Sequence, residues 1–372
     1  MDQELAEKTE RVVRMLAAEG LGGVIIGSQA NFSWLSCGGT SGIDQSREPG
    51  VGYILVRRDG RRFLLANRIE MPRLLAEEVN ERDFEPVEFG WEEDRASSAF
   101  IAHCAQRILG NGTALGSDLP VDSAARFIDG ALARLRYRLT DGEIERYRAL
   151  GRDIGEALGR MARAIEPGLT EQEIARRAGD AVAACGARAV VNLVAADERL
   201  ARFRHPVPTG KRWKKTVLIV ICARRYGLTV SLSRIVCAGA IPDDLTYRTR
   251  ATAAVNAQLF AATRPGATGR ELYETAARAY AGQGFPGEER LHHQGGAIGY
   301  RTRDWVAHPA SAEMVQARQA FAWNPSITGT KTEETCIAFD DAIEVVTPSP
   351  GWPQIRIEIS GREYALPDVL SL

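Results

Sequence analysis

Pro167-Gly168-Leu169-Thr170-Glu171-Gln172-Glu173 and Arg264-Pro265-Gly266-Ala267-Thr268-Gly269-Arg270-Glu271 carry the same local instruction twice. In each, a Pro-Gly pair ends one helical segment, and a threonine then stands three residues before a glutamate. That spacing is a capping box: the threonine oxygen accepts from the glutamate's backbone N–H, and the glutamate carboxylate reaches back to the threonine's own N–H. Upstream of the first copy, Thr140-Asp141-Gly142-Glu143 is a third capping arrangement. It opens a long helix whose apolar residues Ile144, Tyr147, Leu150, Ile154 and Leu158 recur at helical spacing. Two copies of helix, Pro-Gly turn and capped helix, about 100 residues apart, indicate an internal pseudo-repeat.

The preceding sequence has a different character. Residues 5–19 read as an amphipathic helix with Val12, Val13, Leu16 and Ala17 on one side, stopped by Gly20. Gly23-Val24-Ile25-Ile26-Gly27 reads as a buried strand. Gly52–Val56 and Phe63–Ala66 read as a hairpin turning through Arg58-Asp59-Gly60-Arg61. Helix and strand alternate to about Leu119, as in a small α/β domain whose sheet is covered by helices. The boundary falls near Leu139, giving an N-terminal domain 1–138 and a larger domain 139–372.

With 372 residues, 45% hydrophobic and 26% charged, the chain has enough apolar mass for two folded domains and is not largely disordered. The 47 basic and 48 acidic residues leave a net charge of -1, which argues against broad nucleic-acid or membrane-surface binding. No apolar signal core follows Met1-Asp2-Gln3-Glu4, and the apolar run Val217 to Ala223 is far too short to span a bilayer. The six cysteines are scattered without a CxxC pair, which points to reduced, buried thiols and a cytoplasmic location. Cys222 and Cys237 alone invite consideration as nucleophiles, because they lie within and just after the segment 220–234.

Several segments resemble the creatinase, prolidase and aminopeptidase P family along nearly the whole chain. Asn31-Phe32-Ser33-Trp34-Leu35-Ser36 is similar to the family's N-x-x-Y-L-T stretch, and Leu139-Thr140-Asp141-Gly142-Glu143-Ile144 to the K-T-x-x-E-I opening of its second domain. Pro167-Gly168-Leu169-Thr170-Glu171 is a further match. The resemblance implies an α/β (α+β) protein: a creatinase-like N-terminal domain followed by a pita-bread domain with an internal pseudo-repeat. Peptidases of this family bind two divalent metals through two aspartates, a histidine and two glutamates, since anionic oxygen ligands offset and bridge two cations. On the same motifs, the aspartate positions fall here on Val220 and Ser231, the histidine of G-H-x-x-G on Gly296, and the glutamate of E-P-G on Asn324. Glu333 alone keeps a carboxylate. A set of one carboxylate, one hydroxyl, one amide, a valine and a glycine does not hold two hard cations. No metal and no cofactor are therefore expected, and metallopeptidase activity is not.

The family also contains metal-free members such as creatinase, in which a histidine transfers the proton. Arg204-His205-Pro206-Val207-Pro208 resembles the stretch carrying that histidine, which makes His205 the first candidate for acid–base work, since an imidazole both takes and returns a proton near neutrality. In His292-His293-Gln294-Gly295-Gly296, side chains alternating along a strand would send the two histidines to opposite faces, with His293 toward the pocket beside the glycine pair. There the glycines would let substrate approach the backbone. Tyr300-Arg301-Thr302-Arg303-Asp304 resembles creatinase's Y-x-G-R-E segment, so Arg303 is placed to hold a carboxylate with its planar fork. The catalytic candidates are thus His205, His293 and Glu333. The substrate-binding candidates are Trp34, Arg204, Ser231, Arg234, His292, Tyr300, Arg303, Asn324 and Lys331. Glu333 would pair either with a substrate cation or with Lys331 or Arg234.

These residues point to a metal-independent, histidine-assisted hydrolase of a C–N bond in a small carboxylate-bearing or zwitterionic metabolite. An elimination, cyclisation or decarboxylation enzyme of specialised metabolism would use the same histidine. A catalytically inactive binding or scaffold protein would show the same loss of ligands. No GxSxG or Walker motif is present to suggest a serine hydrolase or a nucleotide-driven enzyme. The resemblance further implies a homodimer, with Trp34 closing the neighbouring subunit's site, and a small molecule rather than nucleic acid or membrane as partner.

Overall fold

The periodicity of the first helix puts Val12, Met15 and Leu16 on one buried side, and in the computed structural model, which describes residues 2–372, that helix runs Asp2–Ala18. The chain divides into two compact units: Met1–Arg136 with Thr140–Gly142, and Tyr137–Leu139 with Glu143–Leu372.

The first unit is built on a six-stranded mixed sheet. Its order is Glu85–Phe89, Arg62–Asn67, Pro49–Arg57, Gly23–Ser28, Leu115–Ser117, Ala125–Phe127. The central strand Gly23–Ser28 is buried along its whole length, pairing antiparallel with Pro49–Arg57 and parallel with Leu115–Ser117. A strand buried on both faces carries no alternation, which is why it reads as an unbroken apolar run. Ile25, Leu55, Leu65 and Phe63 pack on Phe89, Ile101 and Ala105. Asp118, buried beside them, accepts from the backbone N–H groups of Gly27 and Ser28 and from the Asn31 side chain. This fixes the start of the helix Gln29–Leu35, the segment that the family resemblance singled out.

In the second unit the repeated capping boxes both form. Thr170 Oγ1 accepts from Glu173 N at 3.1 Å and Glu173 returns the bond at 2.7 Å. Thr268 and Glu271 do the same at 3.2 and 2.8 Å. Gly168 and Gly266 turn the chain ahead of each cap with φ of 100° and 92°, values that glycine adopts without a Cβ penalty. Each threonine also makes an isolated antiparallel bridge, Thr170 to Arg212 and Thr268 to Met314, so the two halves share more than their turns. The capped helices are Glu171–Ala184 and Gly269–Gly282; the helices before them are Asp141–Arg163 and Asp243–Ala262.

Beside the two-stranded pairs Ser326–Ile327 with Thr330–Lys331 and Gln354–Ile359 with Arg362–Pro367, two larger sheets complete this unit. One has the order Leu370–Ser371, Leu228–Cys237, Thr216–Arg225, Arg188–Ala196; the other has Trp305–Val306, Gly295–Ala297, Gln319–Trp323, Glu334–Ala338, Ile343–Val345. They are joined where Ser233 N donates to Glu333 O (3.0 Å), Ser231 N to Thr335 Oγ1 (2.7 Å) and Thr229 N to Gly299 O (2.9 Å). Among the described residues, no helix is long and apolar enough to cross a membrane.

Candidate active site

Alternation along Thr216–Arg225 sends Val220 and Cys222 to one face. On the neighbouring strand Leu193 stands opposite Val220 and Val191 opposite Cys222, so the register alone assembles an apolar wall. Facing it are Thr302 and Arg303 from a loop, Asn324 from the end of Gln319–Trp323, and Lys331 and Glu333 from the turn into Glu334–Ala338. His205, from the loop after Arg199–Arg202, and His293, just before Gly295–Ala297, complete the rim. The cavity so enclosed is about 130 Å³. It is close to the roughly 150 Å³ that accommodates a benzene-sized guest.

Glu333 organises the charge. Its side chain is 2% exposed, Arg303 Nη2 lies 3.2 Å from one carboxylate oxygen, and Lys331 Nζ lies 3.0 Å from the other. Burial pushes the Glu333 carboxyl up, but Lys331 and Arg303 together outweigh it and hold the group below the usual carboxylate range. Two cations share one carboxylate, so the wall carries one uncompensated positive charge. Next along the chain, Glu334 points the other way. It pairs with the buried Arg234 at 2.6 Å, is bonded by Thr347, and is raised by burial despite that pair.

The histidines lie beside this charge. His292 Nε2 and His205 Nε2 are 3.2 Å apart, and His292 Nδ1 is 3.2 Å from Ser326 Oγ. Burial, with Lys331 adding, lowers His205 and pushes His292 down to about 2; burial and Arg303 push His293 down to about 4. All three rings are therefore neutral at pH 7. The Cys222 thiol is pushed up by burial and Glu333 and stays protonated, which removes it as a nucleophile. Cys237 is buried and donates to Ala240 O. Three side-chain atoms of the cavity residues, Asn324 Oδ1, Arg303 Nε and Glu333 Oε2, are buried without a hydrogen-bond partner, the last of them in ion contact with Lys331. Unpaired buried groups of this kind are costly unless a ligand or water satisfies them.

Of the residues singled out in the sequence, His205, His293, Arg303, Asn324, Lys331 and Glu333 meet in this cavity, with His292 behind His205. The others are engaged elsewhere. Arg204 pairs with Glu288 at 2.5 Å and donates to Ser326 and Thr328. Arg234 serves Glu334 rather than Glu333. Ser231 Oγ donates to Cys222 Sγ, and Tyr300 Oη to the buried Glu143. Trp34 is fully buried within the first unit, under the Lys8 ammonium 5.8 Å from its ring centroid. Two local expectations are corrected. His292 and His293 lie on irregular chain ahead of the strand rather than in it, so their rings lie 4.6 Å apart and both approach His205. The glycine pair does not open onto substrate: a Cβ on Gly296 would meet Trp305 O at 2.1 Å, and one on Gly295 would meet Ala322 O at 2.1 Å. Neighbouring strands fill that space. Val191, Leu193 and Thr302 were not foreseen in the lining. The apolar pair could have been found only from strand register, which spacing along one strand does not give.

A family model described as metallopeptidase family M24 matches residues 145–359. Similar solved structures include an Xaa-Pro dipeptidase from Bacillus anthracis (18% identity, 99% of this chain and 100% of that one, TM-score 0.77). Others are the prolidase from Pyrococcus horikoshii OT3 (17%, 92% and 98%, TM-score 0.76) and an X-Pro aminopeptidase from Thermotoga maritima MSB8 (19%, 92% and 98%, TM-score 0.73). At these identities the likeness establishes the two-part fold over the full length. No curated protein matches the sequence.

The family name implies metal, and the cavity residues do not fit a two-metal centre. Of the positions matched by motif to ligands, Val220 is apolar, Ser231 is bonded to Cys222 and Thr335, and Gly296 has no room for a side chain. Glu333 is already held by two cations, which repel a metal ion as strongly as they hold the carboxylate.

Proposed function

The chain belongs to metallopeptidase family M24, and from that premise we propose that it hydrolyses a C–N bond in a small carboxylate-bearing or zwitterionic metabolite without the family's two-metal chemistry. The observation that carries the reading is the pair of cations on Glu333, which leaves one positive charge facing a cavity that also holds neutral imidazoles. A substrate carboxylate supplies the missing negative charge. Asn324 Oδ1 accepts from a substrate N–H, filling its vacant hydrogen bond.

The histidine pair sets the direction of proton transfer. With His292 Nδ1–H donating to Ser326 Oγ and His205 Nε2–H donating to His292 Nε2, His205 keeps a free lone pair on Nδ1. That nitrogen takes a proton from the attacking water as the oxygen bonds to the substrate carbon. It returns the proton to the leaving nitrogen as the C–N bond breaks. The products are an amine together with a carboxylic acid from an N-acyl substrate, a carbamic acid from an N-carbamoyl one, or urea from an N-amidino one. Neutral histidines suit this role because a protonated His205 beside Lys331 and Arg303 would add a third positive charge to the wall.

The test is a panel of N-acyl, N-carbamoyl and N-amidino amino acids incubated in oxygen-18 water and followed by mass spectrometry. The expected result is consumption of at least one member with solvent oxygen in the product. Consumption without solvent oxygen would replace hydrolysis by elimination or cyclisation. No turnover, together with no thermal stabilisation by any member, would overturn the reading.

A further inference from the structure

His293 has no part in the hydrolytic scheme, yet its ring lies 4.6 Å from that of His292 and 5.8 Å from that of His205, centroid to centroid. One nitrogen from each of the three rings falls within 4.8 Å of the others. Nε2 of His205 and Nε2 of His292 are 3.2 Å apart. A tetrahedral zinc with nitrogen ligands at about 2.0–2.1 Å sets those nitrogens about 3.3 Å apart, so this pair already spans one edge of such a polyhedron. His205 and His293 are exposed at the rim, and closing the remaining edges requires the nitrogens, now within 4.8 Å of one another, to draw in to about 3.3 Å. His292 is buried, and Ser326 Oγ at its other nitrogen, itself bonded by Arg204, is the outer partner that fixes a ligating imidazole.

We propose that His205, His292 and His293 form a binding site for one transition-metal ion of nitrogen preference, such as zinc, at the rim of the cavity. It shares no residue with the motif positions of the family's carboxylate ligands. Three imidazoles and an open fourth position select zinc, copper or nickel over manganese, magnesium or calcium, which prefer oxygen. Lys331 and Arg303 stand nearby and weaken the site, while Glu333 offsets part of their charge. With the ion on Nε2 of His205, the proton of the neutral ring sits on Nδ1, which then has no lone pair with which to take a proton from water. Resting on the function proposed above, the ion therefore acts as a brake on proton transfer rather than as its agent.

The experiment uses untagged, chelator-treated full-length protein, with zinc followed by calorimetry and cobalt by its visible absorption. One ion per chain is expected, with a cobalt spectrum of low coordination number. The variants His293→Asn and His205→Asn should each weaken binding by at least about tenfold while melting like the wild type in the absence of metal. Manganese should bind far more weakly than zinc. No zinc heat up to millimolar concentration, or unchanged binding by His293→Asn, would overturn the site. The oxygen-18 result is obtained in chelator, so turnover without zinc binding removes only the metal site. Zinc binding without turnover removes only the hydrolytic reading.

Discussion

Replacing Glu333 by alanine is expected to lower the free energy of unfolding by about 3–5 kcal/mol, the usual cost of leaving a buried charge without its partner. The reason lies in the stoichiometry. Glu333 is 2% exposed and is paired with both Lys331, at 3.0 Å, and Arg303, at 3.2 Å. Its removal strands two cations in one wall. Chemical denaturation of wild type and variant measures the loss. Two controls give it meaning. Pairing Glu333→Leu with Lys331→Met should recover part of the stability, because it removes charge of both signs from the interior. Acetate or formate should stabilise Glu333→Ala more than wild type, by occupying the vacated space between the cations. A loss below about 1 kcal/mol would mean that the trio behaves as a solvated surface network.

His205→Asn is expected to reduce kcat/KM on any hydrolysed substrate by about 10²–10⁴-fold, the range for loss of one positioned acid–base group. Asparagine keeps a polar amide where Nδ1 stood, is too short to replace the Nε2 bond to His292, and cannot exchange a proton near neutrality. The pH profile adds a readout that a packing defect would not produce. His205 is faced by Lys331, Arg303, Glu333, His292 and His293, and burial with the two cations lowers it from its ordinary value. A base with a lowered pKa stays deprotonated further into acid. The acid limb of wild-type kcat/KM, measured in chelator, should therefore fall below pH 6.5 and be absent from the residual activity of His205→Asn. An acid limb above that value, or a variant with wild-type turnover, would assign the proton transfer to another group.

The division between what the sequence disclosed and what it withheld follows from how far each signal reaches. Capping boxes are local: Thr170 with Glu173 and Thr268 with Glu271 act within four residues, so the spacing revealed both the helices and their repetition. The strand Gly23–Ser28 was legible because complete burial leaves an apolar run. The order of family motifs drew His205, Arg303, Asn324, Lys331 and Glu333 from separate segments, and these residues line one cavity. Side-chain partners were another matter. Arg204 and Arg234 come from the same motifs, yet each is engaged by an acid facing away from the cavity, Glu288 and Glu334. Nothing in linear spacing ranks Glu288 above Glu333 as a partner for Arg204. The histidine pair was misread for a related reason: alternation holds only on a strand, and the chain enters its strand at Gly295, two residues too late.

The central claim is that a two-metal site has been replaced by an ion-paired, cation-rich wall. It is tested most directly by calorimetric titration of the chelator-treated protein with manganese, an oxygen-preferring ion that a carboxylate-rich site would take. No saturable binding below millimolar manganese and no shift in melting temperature are expected. Two manganese ions bound per chain, with a large stabilisation, would contradict it. The motif placement on Val220, Ser231, Gly296 and Asn324 would then be wrong, and a metallopeptidase reading would take its place.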